Sequence, residues 1–250
     1  MTSGRTAWTI PQLPQRRLGA VLFDLDGVLT PTADVHMAAW RRMFSEYFAA
    51  HGVTPVYTDD DYFAYIDGKP RYDGVRACLA SRGIDLPWGD PSDLPGDSTV
   101  CALGNRKNDV FNAVLREEGV VAYPGSVALL DHVESLGVPM AVVSSSRNAA
   151  DVLAAAGLAH RFDVVVSGLV AAEQGLAGKP SPDTYQYAAR QLGVAEHEAV
   201  VVEDAISGVQ AGAAGDFAAV IGVDRGAGAD DLLAHGADIV VTDLGELVER

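Results

Sequence analysis

VLFDLDGVLT, residues 21–30, sends an apolar run straight into two aspartates, Asp24 and Asp26. Alternate residues of an extended strand point the same way, so both carboxylates lie on one side of the backbone. There they repel each other unless a cation or a shared proton relieves them. Gly27 follows at once and permits a tight turn that aims both carboxylates one way. One acid at a strand end is commonly a cap. Two in register ask for a partner.

Other short Val/Ile runs repeat the theme further on: 138–144, 162–168, 199–204, 217–223 and 238–242 read as strands. Helical segments at 149–156, 182–192 and 206–214 alternate with them. Continuous apolar strands separated by helices imply parallel strands covered on both faces. With the strand at 20–24, the expected fold is an α/β, doubly wound parallel sheet. Between 31 and 122 the texture changes, with aromatics and charges replacing the Val-rich runs. Helical patterns at 33–50, 73–82 and 106–118 make this a helical cap domain inserted after the first strand. The stretch GIDLPWGDPSDLPGDST, 83–99, carries three prolines and three glycines and reads as a loop within the insert. The expected organisation is therefore an arm over 1–17, a core over 18–30 and 123–250, and a cap over 31–122. The arm is expected to be mobile, with Trp8 and Ile10 as its residues able to dock.

Bulk properties narrow the classes. At 250 residues the chain has ample length for a core, and its 48% apolar and 21% charged content is that of an ordinary globular protein. A formal charge of −16 argues against nucleic acid and anionic membrane as partners. The first 17 residues lack the apolar stretch of a signal peptide, and no apolar run is long enough to span a bilayer, so a cytoplasmic location is expected. Cys78 and Cys101 form no disulfide framework and are expected as reduced thiols. Cys101 imitates a thiol-phosphatase loop, but Arg106 falls one place early.

Ligands of open parallel sheets bind beyond the carboxyl ends of the strands. Four polar groups fall there: Asp24 with Asp26, Ser144–Ser146, Lys179, and Glu203 with Asp204. Carboxylates of this kind suit Mg²⁺, which prefers hard oxygen ligands and retains several waters. The hydroxyls and the lysine suit a phosphate. GLAGKPS around Lys179 also imitates a nucleotide-binding loop, but Glu173 stands where the first glycine is needed and Pro180 where a hydroxyl is needed.

In this order and spacing, DLDGVLT, Ser144, GKPSPD and VVEDAISGV resemble the four motifs of the haloacid dehalogenase superfamily, over about residues 20–242. The resemblance implies a Rossmann-like core with a cap. It also implies Asp24 as nucleophile, Asp26 as general acid and base, Ser144, Ser145 and Lys179 as phosphate ligands, and Asp204 as the metal carboxylate. Asp24 and the main-chain carbonyl of Asp26 would join the metal, with Glu203 as ligand or close neighbour. Features of the insert resemble the sugar-phosphate mutases of that superfamily. Thr32 and His36 match a hinge pair, Arg71 a cap arginine that grips a distal phosphate, and Lys107 with Asn108 a substrate-reading segment; Ser146 and Asn148 extend the phosphate loop. The implied reaction is ping-pong: β-glucose 1-phosphate becomes glucose 6-phosphate through the 1,6-bisphosphate, on a monomer with a small phosphorylated sugar as its partner. Departures are Pro31 for an acidic residue, Arg147 for a lysine, and the longer cap. A phosphatase on a small phosphate ester is the alternative, because the same core supports it. A binding protein without catalysis is disfavoured by the intact acids and lysine.

Overall fold

A computed structural model describes residues 8–10, 13, 15, 16 and 18–248. The chain falls into two compact units, one ending at Pro31 and resuming at Val121, the other spanning Thr32–Val120.

The first unit opens with β1 (Ala20–Phe23), wholly buried. Trp8 and Leu18 bridge antiparallel just before it, each donating to the other's carbonyl at 2.9 Å. Trp8 and Ile10 are buried, and Arg16 pairs with Asp238 at 2.9 Å. Two large apolar side chains hold this stretch against the body, so the expected mobile arm is docked at these residues. The rest of 1–17 lies largely outside the described residues.

The second unit is helical: α1 (Thr32–His51), α2 (Asp59–Tyr65), α3 (Arg71–Ala80) and α4 (Val100–Glu118). On α1 the buried side chains Trp40, Met43, Phe44, Tyr47 and Phe48 recur at helical spacing. They pack with Tyr57, Tyr62, Ile66, Val75, Cys78, Leu79, Val100 and Leu103 as this unit's own core. Helix α2 was not legible as such, because DDDYFAY is acidic. Thr58 and Asp61 form a capping box at its start, and Arg82 clamps both Asp61 oxygens at 2.6 Å each. Helix α4 begins six residues before the expected 106, because the Thr99 hydroxyl accepts from the Ala102 amide at 3.0 Å and caps it there.

The chain then supplies α5 (Pro124–Ser135), β2 (Met140–Val143), α6 (Ala149–Ala155), β3 (Val164–Val166), α7 (Gly168–Glu173), α8 (Asp183–Gln191), β4 (Ala199–Glu203), α9 (Ile206–Ala214), β5 (Ala219–Val223), α10 (Ala229–Ala234) and β6 (Ile239–Val241). All six strands pair in parallel in the order β3-β2-β1-β4-β5-β6. One sheet face carries Ala20, Leu22, Ala141, Val143, Val201 and Val220 against Tyr185, Ala188, Val209 and Leu232 from the helices. The alternate residues Val21, Phe23, Val142, Val200, Val202 and Ile221 are buried as well. Burial on both faces is why each strand is a continuous apolar run. The connection reverses between β1 and β4, the switch point where such sheets leave a crevice beyond their carboxyl ends. At the point where the helical unit is inserted, the first unit is closed by its own hydrogen bonds. Tyr123 N donates to Leu29 O at 3.0 Å and Ser126 Oγ to Val28 O at 2.7 Å.

Candidate active site

Asp24 ends β1, and its amide continues the ladder by donating to Val202 O at 2.9 Å on β4. Its carboxylate is buried, and Oδ1 accepts from Lys179 Nζ at 2.5 Å. Lys179 is also buried and uses all three of its donors, on Asp24, on Glu203 Oε1 at 2.5 Å and on Val143 O at 3.1 Å. Burial pushes the Asp24 carboxyl well above the usual range, with Lys179 opposing and Glu203 and Asp26 reinforcing. For Lys179, burial alone would favour the neutral amine. The two carboxylates outweigh it and hold the ammonium above the ordinary lysine value.

Glu203 closes this network. Besides Lys179, Oε1 accepts from the Tyr185 hydroxyl at 2.8 Å, while Oε2 accepts from the amides of Asp204 at 3.1 Å and Ala205 at 3.2 Å. A β-carbon on Gly208 would overlap the Glu203 carboxylate, so the residue at 208 has to be glycine for α9 to approach. Gly27 serves Asp204 in the same way. Its φ is +86°, and a β-carbon there would overlap the Asp204 carboxylate. Oxygens of Asp24, Glu203 and Asp204 all lie within 4.8 Å of one another, a cluster able to hold a divalent cation.

The loop after β2 adds hydroxyls. Ser144 Oγ donates to Asp26 Oδ2 at 3.3 Å and accepts from the Ser146 amide at 3.0 Å. Ser146 Oγ accepts from the Asn148 amide at 3.1 Å, and Asn148 is buried at the start of α6. Ser145 lies between, half-buried. The first unit thus brings together Asp24, Asp26, Ser144, Lys179, Glu203 and Asp204, all named from sequence.

In the helical unit four of the named residues form two groups. Thr32 is buried at the head of α1. His36 stacks on Phe111 with ring centroids 3.9 Å apart, and its Nδ1 meets Lys107 Nζ. Lys107 is itself buried, 4.9 Å from the Trp40 ring centroid and 5.2 Å from that of Phe111. Arg71 opens α3, and its Nη2 donates to Asn108 Oδ1 at 2.7 Å. Of the expected substrate-reading segment, Lys107 thus meets His36 and Asn108 meets Arg71.

Sequence reasoning missed Tyr185 and Arg225. Arg225 Nε donates to Gly27 O at 2.9 Å, Nη1 donates to Thr242 O at 2.9 Å, and the guanidinium lies 4.0 Å from the Tyr123 ring centroid. It therefore braces the turn that carries Asp26. Tyr185→Phe removes one donor to a buried carboxylate and is expected to lower the unfolding free energy by about 1.5–3 kcal/mol. Urea unfolding followed by circular dichroism measures it. A loss under about 0.5 kcal/mol would mean that the other three donors suffice.

Comparison with known proteins places the chain in a class. The haloacid dehalogenase-like hydrolase model matches residues 18–216, and the chain belongs to that family. Within it, the chain is 47% identical to a β-phosphoglucomutase of Mycobacterium tuberculosis, over 95% of this chain and 97% of the relative. It is also 31% identical to hexitol phosphatase A of Escherichia coli, over 79% of this chain and 80% of that one. The crystal structure of a β-phosphoglucomutase from Clostridium difficile superposes with a TM-score of 0.73 at 24% identity, covering 92% and 93% of the two chains, a likeness of fold.

Proposed function

We propose that the chain is a Mg²⁺-dependent β-phosphoglucomutase acting through an aspartyl-phosphate. The observation that carries the reading is the 47% identity to a β-phosphoglucomutase across nearly the whole of both chains. The Asp24–Lys179 pair supplies chemistry that agrees with it.

The donor set fits Mg²⁺, being all carboxylate oxygen. Asp24 and Asp204, with the main-chain carbonyl of Asp26, would hold it. Glu203 already accepts from four donors and instead holds Lys179 in place. Bound there, the ion would offset negative charge on a transferring phosphoryl group.

Asp24 attacks the phosphorus of a bound phosphate, and its oxygen forms the new P–O bond as the sugar oxygen leaves. Asp26, hydrogen-bonded to Ser144, delivers a proton to that oxygen. In the reverse half-reaction Asp26 takes the proton from an attacking sugar hydroxyl, and the phosphoryl group passes from Asp24 to it. Lys179 neutralises charge on the phosphoryl oxygens, and Ser144 and Ser145 are the hydroxyl-bearing residues proposed to contact them. A mutase handles a sugar with two phosphates, and Arg71 of the helical unit is the cation proposed for the second. Among the described residues no helix is long and apolar enough to cross a membrane, and both cysteines are buried thiols. The reading includes a cytoplasmic monomer.

The test follows β-glucose 1-phosphate with Mg²⁺ and a trace of the 1,6-bisphosphate, recording glucose 6-phosphate and free phosphate together. Glucose 6-phosphate without matching free phosphate is expected. Free phosphate as the main product would replace this reading with a phosphatase, which the likeness to hexitol phosphatase A favours.

A further inference from the structure

The Pro/Gly-rich stretch 83–99 carries no helix until Thr99 caps α4, and side chains of α3 and α4 fasten it: Arg106 pairs with Asp97 at 2.5 Å, Arg76 lies over the Trp88 ring, and Asn105 makes the most bonds. The Asn105 amide nitrogen donates to Pro91 O at 3.1 Å and to Asp93 O at 2.9 Å. Its oxygen accepts from the Tyr72 hydroxyl at 2.9 Å and from Arg71 Nη1 at 3.4 Å. A primary amide has two N–H donors and two acceptor positions, and here all four are used. The orientation is fixed by the partners, since a flipped amide would set donor against donor and acceptor against acceptor. Asp93 is tied independently: its Oδ2 accepts from Thr99 Oγ1 at 2.6 Å and from the Asp90 amide at 3.1 Å. Tyr72 reinforces the clasp, with its ring edge-on to Trp88 at 6.2 Å. The other arm of the Arg71 guanidinium is on Asn108.

We propose that Asn105 is a positioning residue for Arg71, locking the 83–99 segment and that arginine into one anion-reading element of the helical unit. The inference rests on the reading of Arg71 as the contact to a substrate phosphate. Arg71 is a long side chain with much rotamer freedom to lose, and a guanidinium already held by two amide oxygens loses less of it on binding. The segment that lengthens this unit thereby acts on substrate affinity through Asn105, with its backbone carbonyls at 91 and 93 as the anchor.

The test measures KM and kcat for β-glucose 1-phosphate in the full chain, for Asn105→Ala, Arg71→Ala and the double variant. Asn105→Ala should raise KM about tenfold with a smaller change in kcat, the pattern of a lost ground-state contact. In the double variant the Asn105 change should add nothing to that of Arg71→Ala, because the residue acts through the arginine. Asn105→Asp keeps the size and the acceptor oxygen but loses both donors to the loop and sets a negative charge on Arg71. It too should raise KM, and it provides the reading should the alanine variant misfold. If Arg71→Ala leaves KM unchanged, the phosphate-contact reading of Arg71 fails and the inference with it. If Arg71→Ala raises KM but either Asn105 variant does not, or the effects add, Asn105 is only structural and the inference alone is overturned.

Discussion

The Asp24→Asn variant should fold normally and lose both sugar-phosphate turnover and phosphate release by at least about 10⁴-fold, as expected for removal of a nucleophile. An asparagine has nearly the same shape, and its Oδ1 can still accept from Lys179. It cannot form an acyl phosphate. Wild-type protein given bisphosphate radiolabelled in phosphorus should retain label after acid precipitation and release it to hydroxylamine. The variant should retain none. Residual turnover within tenfold of wild type would remove Asp24 from the reaction.

The Lys179→Met variant should lose stability as well as activity. Methionine fills much of the same space but leaves Asp24 and Glu203 buried with no cation between them. Breaking a buried pair in this way costs about 3–5 kcal/mol, because an uncompensated charge remains. The sign with pH is specific. In the wild type the lysine pKa is raised, so its stabilisation is fully present below the ordinary lysine value and fades only as pH rises through the folded value. In the variant, protonation of Asp24, whose carboxyl burial already pushes upward, relieves the strain. The deficit should therefore be larger at pH 8 than at pH 5.5, read from thermal midpoints of both proteins at each pH. Turnover should fall about 10²–10³-fold, the usual loss on removing a group that stabilises developing charge. Equal deficits at the two pH values would mean that Asp24 and Glu203 are already relieved by some other group.

Much of the core was legible because its physics is local. AVVVE and AVIGV are buried on both faces, so their sequences carry strand and parallel packing together. The acids at 24, 26, 203 and 204 and the lysine at 179 stand at or just beyond strand ends, where a positional rule finds them. What escaped depends on longer contacts or on misleading composition. Helix α5 begins with Pro-Gly, which looks like a turn, but proline at a helix start is well tolerated and Leu129, Leu130 and Val133 supply the buried face. Helix α2 hides behind three aspartates, of which Asp61 serves its cap and Arg82 while Asp59 meets Arg41. Tyr185 reads as an ordinary core aromatic on α8, and only the fold brings its hydroxyl to Glu203. Arg225 lay within reach, since it stands two residues past β5 and the same strand-end rule extended to that strand would have named it. For Lys107, sequence supplied a charge but not the aromatic rings that enclose it.

The hydrogen bonds from Tyr123 to Leu29 and from Ser126 to Val28 have an evolutionary meaning. They make the place where the helical unit leaves and rejoins the chain a sealed doorway, finished by the core alone. Closing a longer loop across fixed ends costs only about 0.6 kcal/mol for each doubling of its length. Lineages can therefore lengthen, trim or exchange what lies beyond the doorway while the phosphoryl chemistry stays on the other side, untouched. The stretch at 83–99 lies within that inserted unit, so its length can change without touching the bonds that close the doorway.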